Sequence, residues 1–211
     1  AGLETQILNI VSESKPELPD IDEIVGLVIM GGPMNAGDFE GYPGLKKETK
    51  LIRNAIERGI PVLGICLGHQ IIAHALGAKI ARAKKEELGL CKIVSEHKDD
   101  YFSMWNKELH VLQWHGDEVS LPEGAQLLAS SKVTKNQAFK YRSALGLQFH
   151  LEVDGILLQE WLDDKSMVKG LKKSQIEKLK ADFAIYDSQM LPLAQQVFTG
   201  FAARCATFAQ E

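Results

Sequence analysis

The stretch Ile60-Pro61-Val62-Leu63-Gly64-Ile65-Cys66-Leu67-Gly68-His69-Gln70 runs from an apolar, β-rich segment straight into the start of a helix through Gly-x-Cys-x-Gly. A buried strand that turns sharply into a helix is the core unit of an α/β fold. With glycines on both sides, a cysteine at that turn is presented as a nucleophile elbow presents its serine. At the first turn of a helix a thiol feels the positive end of the helix dipole and free backbone N–H groups, both of which favour thiolate.

Outward from this unit, short strand-like runs alternate with amphipathic helices. Thr5 to Ile10 and Val25 to Met30 read as strands, the second stopped by Gly31-Gly32-Pro33, and Leu45 to Arg58 reads as a helix ended by Gly59. Ile60 to Ile65 is the buried strand and Leu67 to Leu76 the helix after it, closed by Gly77. Shorter pieces follow at Lys79 to Ala83, Leu88 to Val94, Leu109 to Trp114, Gln126 to Ser130 and Ala144 to Phe149, with spacing that points to an antiparallel region. From Asp154 onward the pattern is helical, with a break expected near Pro192. The expected fold is α/β and flavodoxin-like: an open, mostly parallel sheet with helices on both faces, followed by a C-terminal helical extension. The division expected is an α/β domain over residues 1–161 and the extension over 162–211. Ala1-Gly2-Leu3-Glu4 reads as the end of a helix with its terminal glycine, followed by what would be a second strand, which leads one to expect an earlier βα unit of roughly 20–30 residues outside the sequence.

Composition narrows the function. The 211 residues are 45% hydrophobic and 25% charged, with 18 Gly and 7 Pro, as in an ordinary globular chain. Against 28 acidic side chains stand 24 basic ones, a net charge of −4 that lacks the positive field of a nucleic-acid binder. No apolar run reaches the roughly 18 residues needed to span a bilayer, so no membrane partner is expected. Cys66, Cys91 and Cys205 are odd in number and widely spaced, which suits neither a disulfide framework nor a paired metal site and points to a reducing, cytoplasmic compartment. The lysines at 165, 169, 172, 173, 178 and 180, interleaved with Glu177 and Asp182, read as a solvated helix face.

A thiolate nucleophile needs a proton carrier, and the carrier needs an orienting group. His150 closes the β-like run Gly146-Leu147-Gln148-Phe149-His150, and Glu152 two residues on points the same way along an extended segment. Cys66, His150 and Glu152 therefore form a candidate triad. His69, His74, His97 and His110 read as packing or surface residues, and no metal site is expected. The N–H groups of Leu67 and of Gly32, where glycine would permit an unusual φ, are candidate donors to an oxyanion.

Gly31-Gly32-Pro33, Gly64-Ile65-Cys66-Leu67-Gly68-His69-Gln70, Trp114-His115-Gly116-Asp117 and Gly146-Leu147-Gln148-Phe149-His150-Leu151-Glu152-Val153 together resemble the class I (triad) glutamine amidotransferase family. The resemblance extends over about Val25 to Trp161. Asn136-Gln137-Ala138-Phe139 and Leu128-Ala129-Ser130-Ser131 make it most similar to the stand-alone, GMP-synthase-like members. It implies hydrolysis of the glutamine side-chain amide through a γ-glutamyl thioester on Cys66, with Gln70, Gly31, His115 and Asp117 around the substrate. The family usually has proline between the triad histidine and glutamate, where this chain has Leu151. No GxxxxGK[ST] or GxGxxG loop is present, so no cofactor is expected and an ATP-using synthetase, if it receives the ammonia, must be another chain. The alternatives are a free-standing γ-glutamyl hydrolase or peptidase acting on other γ-glutamyl compounds, and a regulatory module of the same fold that does not turn over.

Overall fold

The computed structural model describes residues 3–12, 16–103, 105 and 108–210. A mixed sheet forms its centre: β1 (Leu27–Ile29), β2 (Val62–Ile65), β3 (Ile80–Ser95), β4 (Glu108–Val119), β5 (Gln126–Ser131), β6 (Ala138–Tyr141) and β7 (Ala144–Leu147), in the spatial order β1-β2-β7-β6-β5-β3-β4. The helices are α1 (Pro43–Glu57), α2 (Leu67–Ala75), α3 (Gly155–Asp163) and α4 (Lys173–Phe208).

Alternation along the central strands divides the core into two. On β2, Leu63 and Ile65 face a cluster that includes Leu158 and Leu162 of α3 and Phe183 and Val197 of α4. Val62 faces the opposite cluster with Ile52 and Ile56 of α1 and Ile71 and Ile72 of α2. The α/β class with helices on both faces is thus as expected. The parallel share of the sheet is smaller than the alternating pattern implied: only β1-β2 and β2-β7 run parallel, while β3-β4, β3-β5, β5-β6 and β6-β7 are antiparallel. Tight connections such as Arg142-Ser143 between β6 and β7 allow only antiparallel pairing, since a parallel neighbour needs a long crossover.

Several local expectations are corrected. Thr5 to Ile10 forms no strand: it has no ladder partner, and Ile7 is 93% exposed. The two pieces read at Lys79 to Ala83 and Leu88 to Val94 are one strand, β3, with an irregularity between Arg82 and Glu87 where the charged run masked the pattern. β6, Ala138–Tyr141, is a further strand that the sequence pattern does not mark. Pro192 does not interrupt α4; it removes one backbone donor, and burial of Met190, Leu193, Ala194 and Val197 around it offsets a cost of about 3 kcal/mol. Of the helix end read at Ala1-Gly2-Leu3-Glu4, Ala1 and Gly2 lie outside the described residues, and Leu3 and Glu4 are in no helix. Among the described residues no helix is long and apolar enough to cross a membrane.

The elbow is built by close approach. A Cβ on Gly68 would stand 2.0 Å from the carbonyl oxygen of Ile29, and one on Gly64 would stand 2.5 Å from that of Gly68. Only glycine lets α2 leave β2 this tightly while lying against β1. Cys66, between them, is held at φ 54° and ψ −104°, a conformation that non-glycine residues adopt at an energetic cost.

Candidate active site

Three backbone hydrogen bonds bring the separated motifs together. Cys66 N–H donates to Leu147 O at 2.8 Å, His150 N–H to Leu112 O at 2.9 Å, and Gln148 N–H to Gln137 O at 2.8 Å. The residues after β7 are thereby fixed between the elbow and β4. The site lies at the carboxyl ends of the parallel strands β1, β2 and β7, the edge at which open α/β sheets bind ligands.

Cys66, 7% exposed, directs its Sγ to the Trp114 carbonyl at 3.8 Å. His150 Nδ1–H donates to Glu152 Oε1 at 2.6 Å, and the ring edges onto Trp161 with centroids 5.0 Å apart. Trp161 in turn meets Trp114 edge to face at 5.7 Å, which shields one side of the imidazole from water. Burial alone would disfavour the imidazolium. The charge and hydrogen bond of the Cys66 sulfur, together with Glu152, outweigh it and push the His150 pKa up to about 10. The remaining ring nitrogen, Nε2, has no other partner among the described residues. Thiol, imidazole and carboxylate are thus gathered as the sequence led one to expect, although His150, Leu151 and Glu152 lie beyond the end of β7 and not on it.

Gly31 sits directly over this group: a Cβ there would be 3.6 Å from both Cys66 Cβ and His150 Cε1. Neither Gly31 nor Gly32 has a positive φ, so the reason expected for glycine at 32 is corrected. What a side chain at 32 meets is crowding: its Cβ would come within 3.1 Å of the Leu67 side chain, which would have to give by a few tenths of an ångström. Gly32 and Leu67 line the same cavity of about 280 Å³ as Cys66, and Leu67 opens α2, where N–H groups have no intrahelical acceptor.

The other expected residues lie on the cavity wall. Gln70 Nε2 donates to Asp117 O at 3.2 Å and to Gln148 Oε1 at 3.0 Å. The Asp117 carboxylate accepts from Asn35 Nδ2 at 2.9 Å and lies 3.3 Å from Arg82 Nη1, and Arg82 also pairs with Glu86. His115 Nδ1 lies 2.9 Å from Asp117 O, and its Nε2 is 3.4 Å from Glu87 Oε2. Glu87, 4% exposed, also accepts from Gln137 Nε2 at 2.8 Å. Burial would raise its carboxyl, but hydrogen bonds from His115, Ser131 and Thr134 prevail and hold it below the usual carboxylate range. Sequence reasoning missed Arg82, Glu87 and Trp161. Glu87 lies in the charged run 84–87, and nothing local in the sequence marks it as the buried residue.

The remaining histidines are outside the site. His69 is fully buried against Phe139, which drives its pKa down to about 3, so it is neutral at ordinary pH. His74 packs on Phe39, His97 bonds the Leu127 carbonyl and His110 stacks on Tyr186. The three cysteines are free, and among the described residues no group of three or more His, Cys, Asp or Glu is placed to hold a metal.

The chain is similar in sequence and fold to known proteins. The family model "Glutamine amidotransferase class-I" matches residues 1–166. The glutamine-hydrolysing GMP synthase subunit of Methanocaldococcus jannaschii is 36% identical over 140 residues, covering 65% of this chain and 69% of that one. The glutamine-hydrolysing GMP synthase of Brachyspira hyodysenteriae is 34% identical over 154 residues, covering 69% of this chain but 29% of that longer protein. The crystal structure of a glutamine amidotransferase from Thermotoga maritima superposes with a TM-score of 0.80 at 33% identity, over 89% of this chain and 81% of that one. The chain belongs to the class I glutamine amidotransferase family.

Proposed function

We propose that this protein hydrolyses the side-chain amide of L-glutamine and delivers the ammonia to an acceptor on another chain. One observation carries the reading: a cysteine strained at a helix start shares its surroundings with a buried imidazole that Glu152 holds at 2.6 Å. The Cys66 thiolate attacks the amide carbon. The oxyanion is met by the N–H groups of Gly32 and Leu67, each such donor being worth about 2.7–4 kcal/mol in barrier. His150 passes its proton to the nitrogen, the C–N bond breaks and ammonia leaves a γ-glutamyl thioester. Water then gives a proton to His150 as its oxygen attacks, the C–S bond breaks, and glutamate departs from regenerated thiolate. Glu152 keeps the imidazole oriented throughout. Gln70, Gly31 and His115 shape the pocket, and the Asp117 carboxylate suits the substrate ammonium group.

The names of the relatives, glutamine-hydrolysing GMP synthases and their subunits, support glutamine as substrate and a synthase as recipient of the ammonia; that this recipient uses ATP is part of the proposal. The test is release of glutamate from glutamine and from γ-glutamyl peptides, for wild type and Cys66→Ser, alone and with candidate synthetase partners. Glutaminase activity lost in Cys66→Ser is the expected result. Cleavage of peptides with negligible release from glutamine would replace the reading with a γ-glutamyl peptidase. Equal inertness of both proteins toward every substrate would leave a module without turnover.

A further inference from the structure

The cavity over Cys66 has a wall that comes from beyond the family match. Met167, Lys169 and Leu171, on the connection between α3 and α4, line it, whereas the match ends at residue 166. The connection is built, not slack. The Asp164 carboxylate accepts from both the N–H and the hydroxyl of Ser166 at 2.7 Å. Its carbonyl accepts from Met167 N–H at 3.1 Å and Val168 N–H at 3.2 Å. Leu171 N–H closes a further turn on Val168 O at 3.0 Å, and Gly170 reverses the chain at φ +88°. Val168 packs on the core cluster that contains Leu158 and Phe183, which ties the turn down. Lys169 is therefore on an ordered turn and not on the solvated helix face the lysine pattern suggested.

The charges that line this cavity are unequally matched. Arg82 is held by Glu86 and Asp117, and Glu87 is held by His115 and Gln137. Lys169 is the lining cation with no acidic partner among the described residues. A γ-glutamyl substrate carries two charges besides the reacting amide: an ammonium, which Asp117 suits, and an α-carboxylate, which an unpaired lining cation suits.

We propose that Lys169 is a specificity-determining residue that pairs with the α-carboxylate of the γ-glutamyl substrate, so that the α3–α4 connection completes the glutamine site from outside the residues that the family model matches. This rests on the glutaminase reading above. A charge-assisted hydrogen bond lost from binding but not from the reacting centre raises KM and leaves kcat.

Two measurements separate this inference from the reading it rests on. In steady-state hydrolysis, Lys169→Ala raises KM for glutamine about tenfold with kcat within about twofold of wild type, and Lys169→Arg recovers most of the loss. L-glutaminamide, whose α-carboxylate is replaced by a neutral amide, is discriminated against by wild type and much less by Lys169→Ala. An unchanged KM, or unchanged discrimination, overturns the assignment. The second readout needs no turnover: alkylation of Cys66 by anionic iodoacetate and by neutral iodoacetamide, followed by peptide mass spectrometry. The iodoacetate-to-iodoacetamide rate ratio falls severalfold in Lys169→Ala and further in Lys169→Glu; a constant ratio shows that the charge does not reach the site and refutes the proposal. Wild type inert toward glutamine refutes the glutaminase reading and with it the substrate named for Lys169, while the alkylation ratio still decides the placement of the cation.

Discussion

Replacing Gly68 with alanine tests the close approach on which the elbow depends. The added Cβ would lie 2.0 Å from the Ile29 carbonyl oxygen and 2.7 Å from its carbon. Ordinary C···O contacts begin near 3.3 Å, so α2 must retreat from β1 by roughly 1.3 Å. The obstacle is backbone on both sides, which no rotamer change relieves. Overpacking of this kind costs about 1–3 kcal/mol and more against backbone, while the better helix propensity of alanine returns about 1 kcal/mol. The expected net loss is about 2 kcal/mol, read as a fall in Tm of about 4–8 °C for a chain of this size. Gly155→Ala is the matched control, because nothing lies within 4 Å of its added Cβ at the start of α3. That variant should be neutral or gain up to about 1 kcal/mol. Urea and thermal unfolding followed by circular dichroism measure both. Gly68→Ala as stable as Gly155→Ala would refute the argument that contact between α2 and β1 dictates glycine here.

Other outcomes follow from the site. Glu152→Gln leaves a side chain of the same shape but no charge to hold the imidazolium, and should lower kcat by about 10³–10⁴-fold in a glutamate-release assay; a loss below tenfold would remove Glu152 from the mechanism. The raised His150 pKa makes stability depend on pH. Because the folded value, about 10, exceeds the ordinary 6.5, protonation favours the folded state, and the contribution is present in full below about pH 6.5 and lost as pH rises toward 10. The stability advantage of wild type over His150→Gln should therefore shrink between pH 7 and 10 in urea titrations, and a constant or widening gap would contradict it. Glu87→Leu leaves Gln137 and His115 without their buried acceptor and should cost about 2–4 kcal/mol, whereas Glu87→Gln, which keeps an acceptor oxygen, should cost clearly less by the same unfolding measurement.

What the sequence discloses here depends on the range of the interaction. The β2-to-α2 elbow is local, with its strand, glycines and helix contiguous between Ile60 and Ala75, and it is seen in the structure where periodicity and glycine spacing place it. His150 and Glu152 are also neighbours in sequence, so their pairing is legible from i and i+2 spacing. The sheet order is not, because which strand lies beside β2 is decided by tertiary packing; β7 takes that place from 82 positions away along the chain (Val62 against Ala144). Glu87 shows the same limit from the opposite side. A glutamate in a run of four charged residues reads as surface, and only the fold reveals that the irregularity in β3 turns it inward beneath His115. Pro192 shows local propensity losing to burial of its neighbours. Lys169 belongs with Glu87: its meaning comes from the cavity it borders, not from the lysines around it.

Covalent chemistry at Cys66 is the step on which the proposed mechanism depends most directly. Wild type mixed rapidly with glutamine, quenched in acid and digested should yield the Cys66 peptide carrying a γ-glutamyl thioester, discharged by hydroxylamine to γ-glutamyl hydroxamate and absent from Cys66→Ser. Turnover of glutamine with no adduct on Cys66 at any quench time, or undiminished turnover by Cys66→Ser, would contradict it.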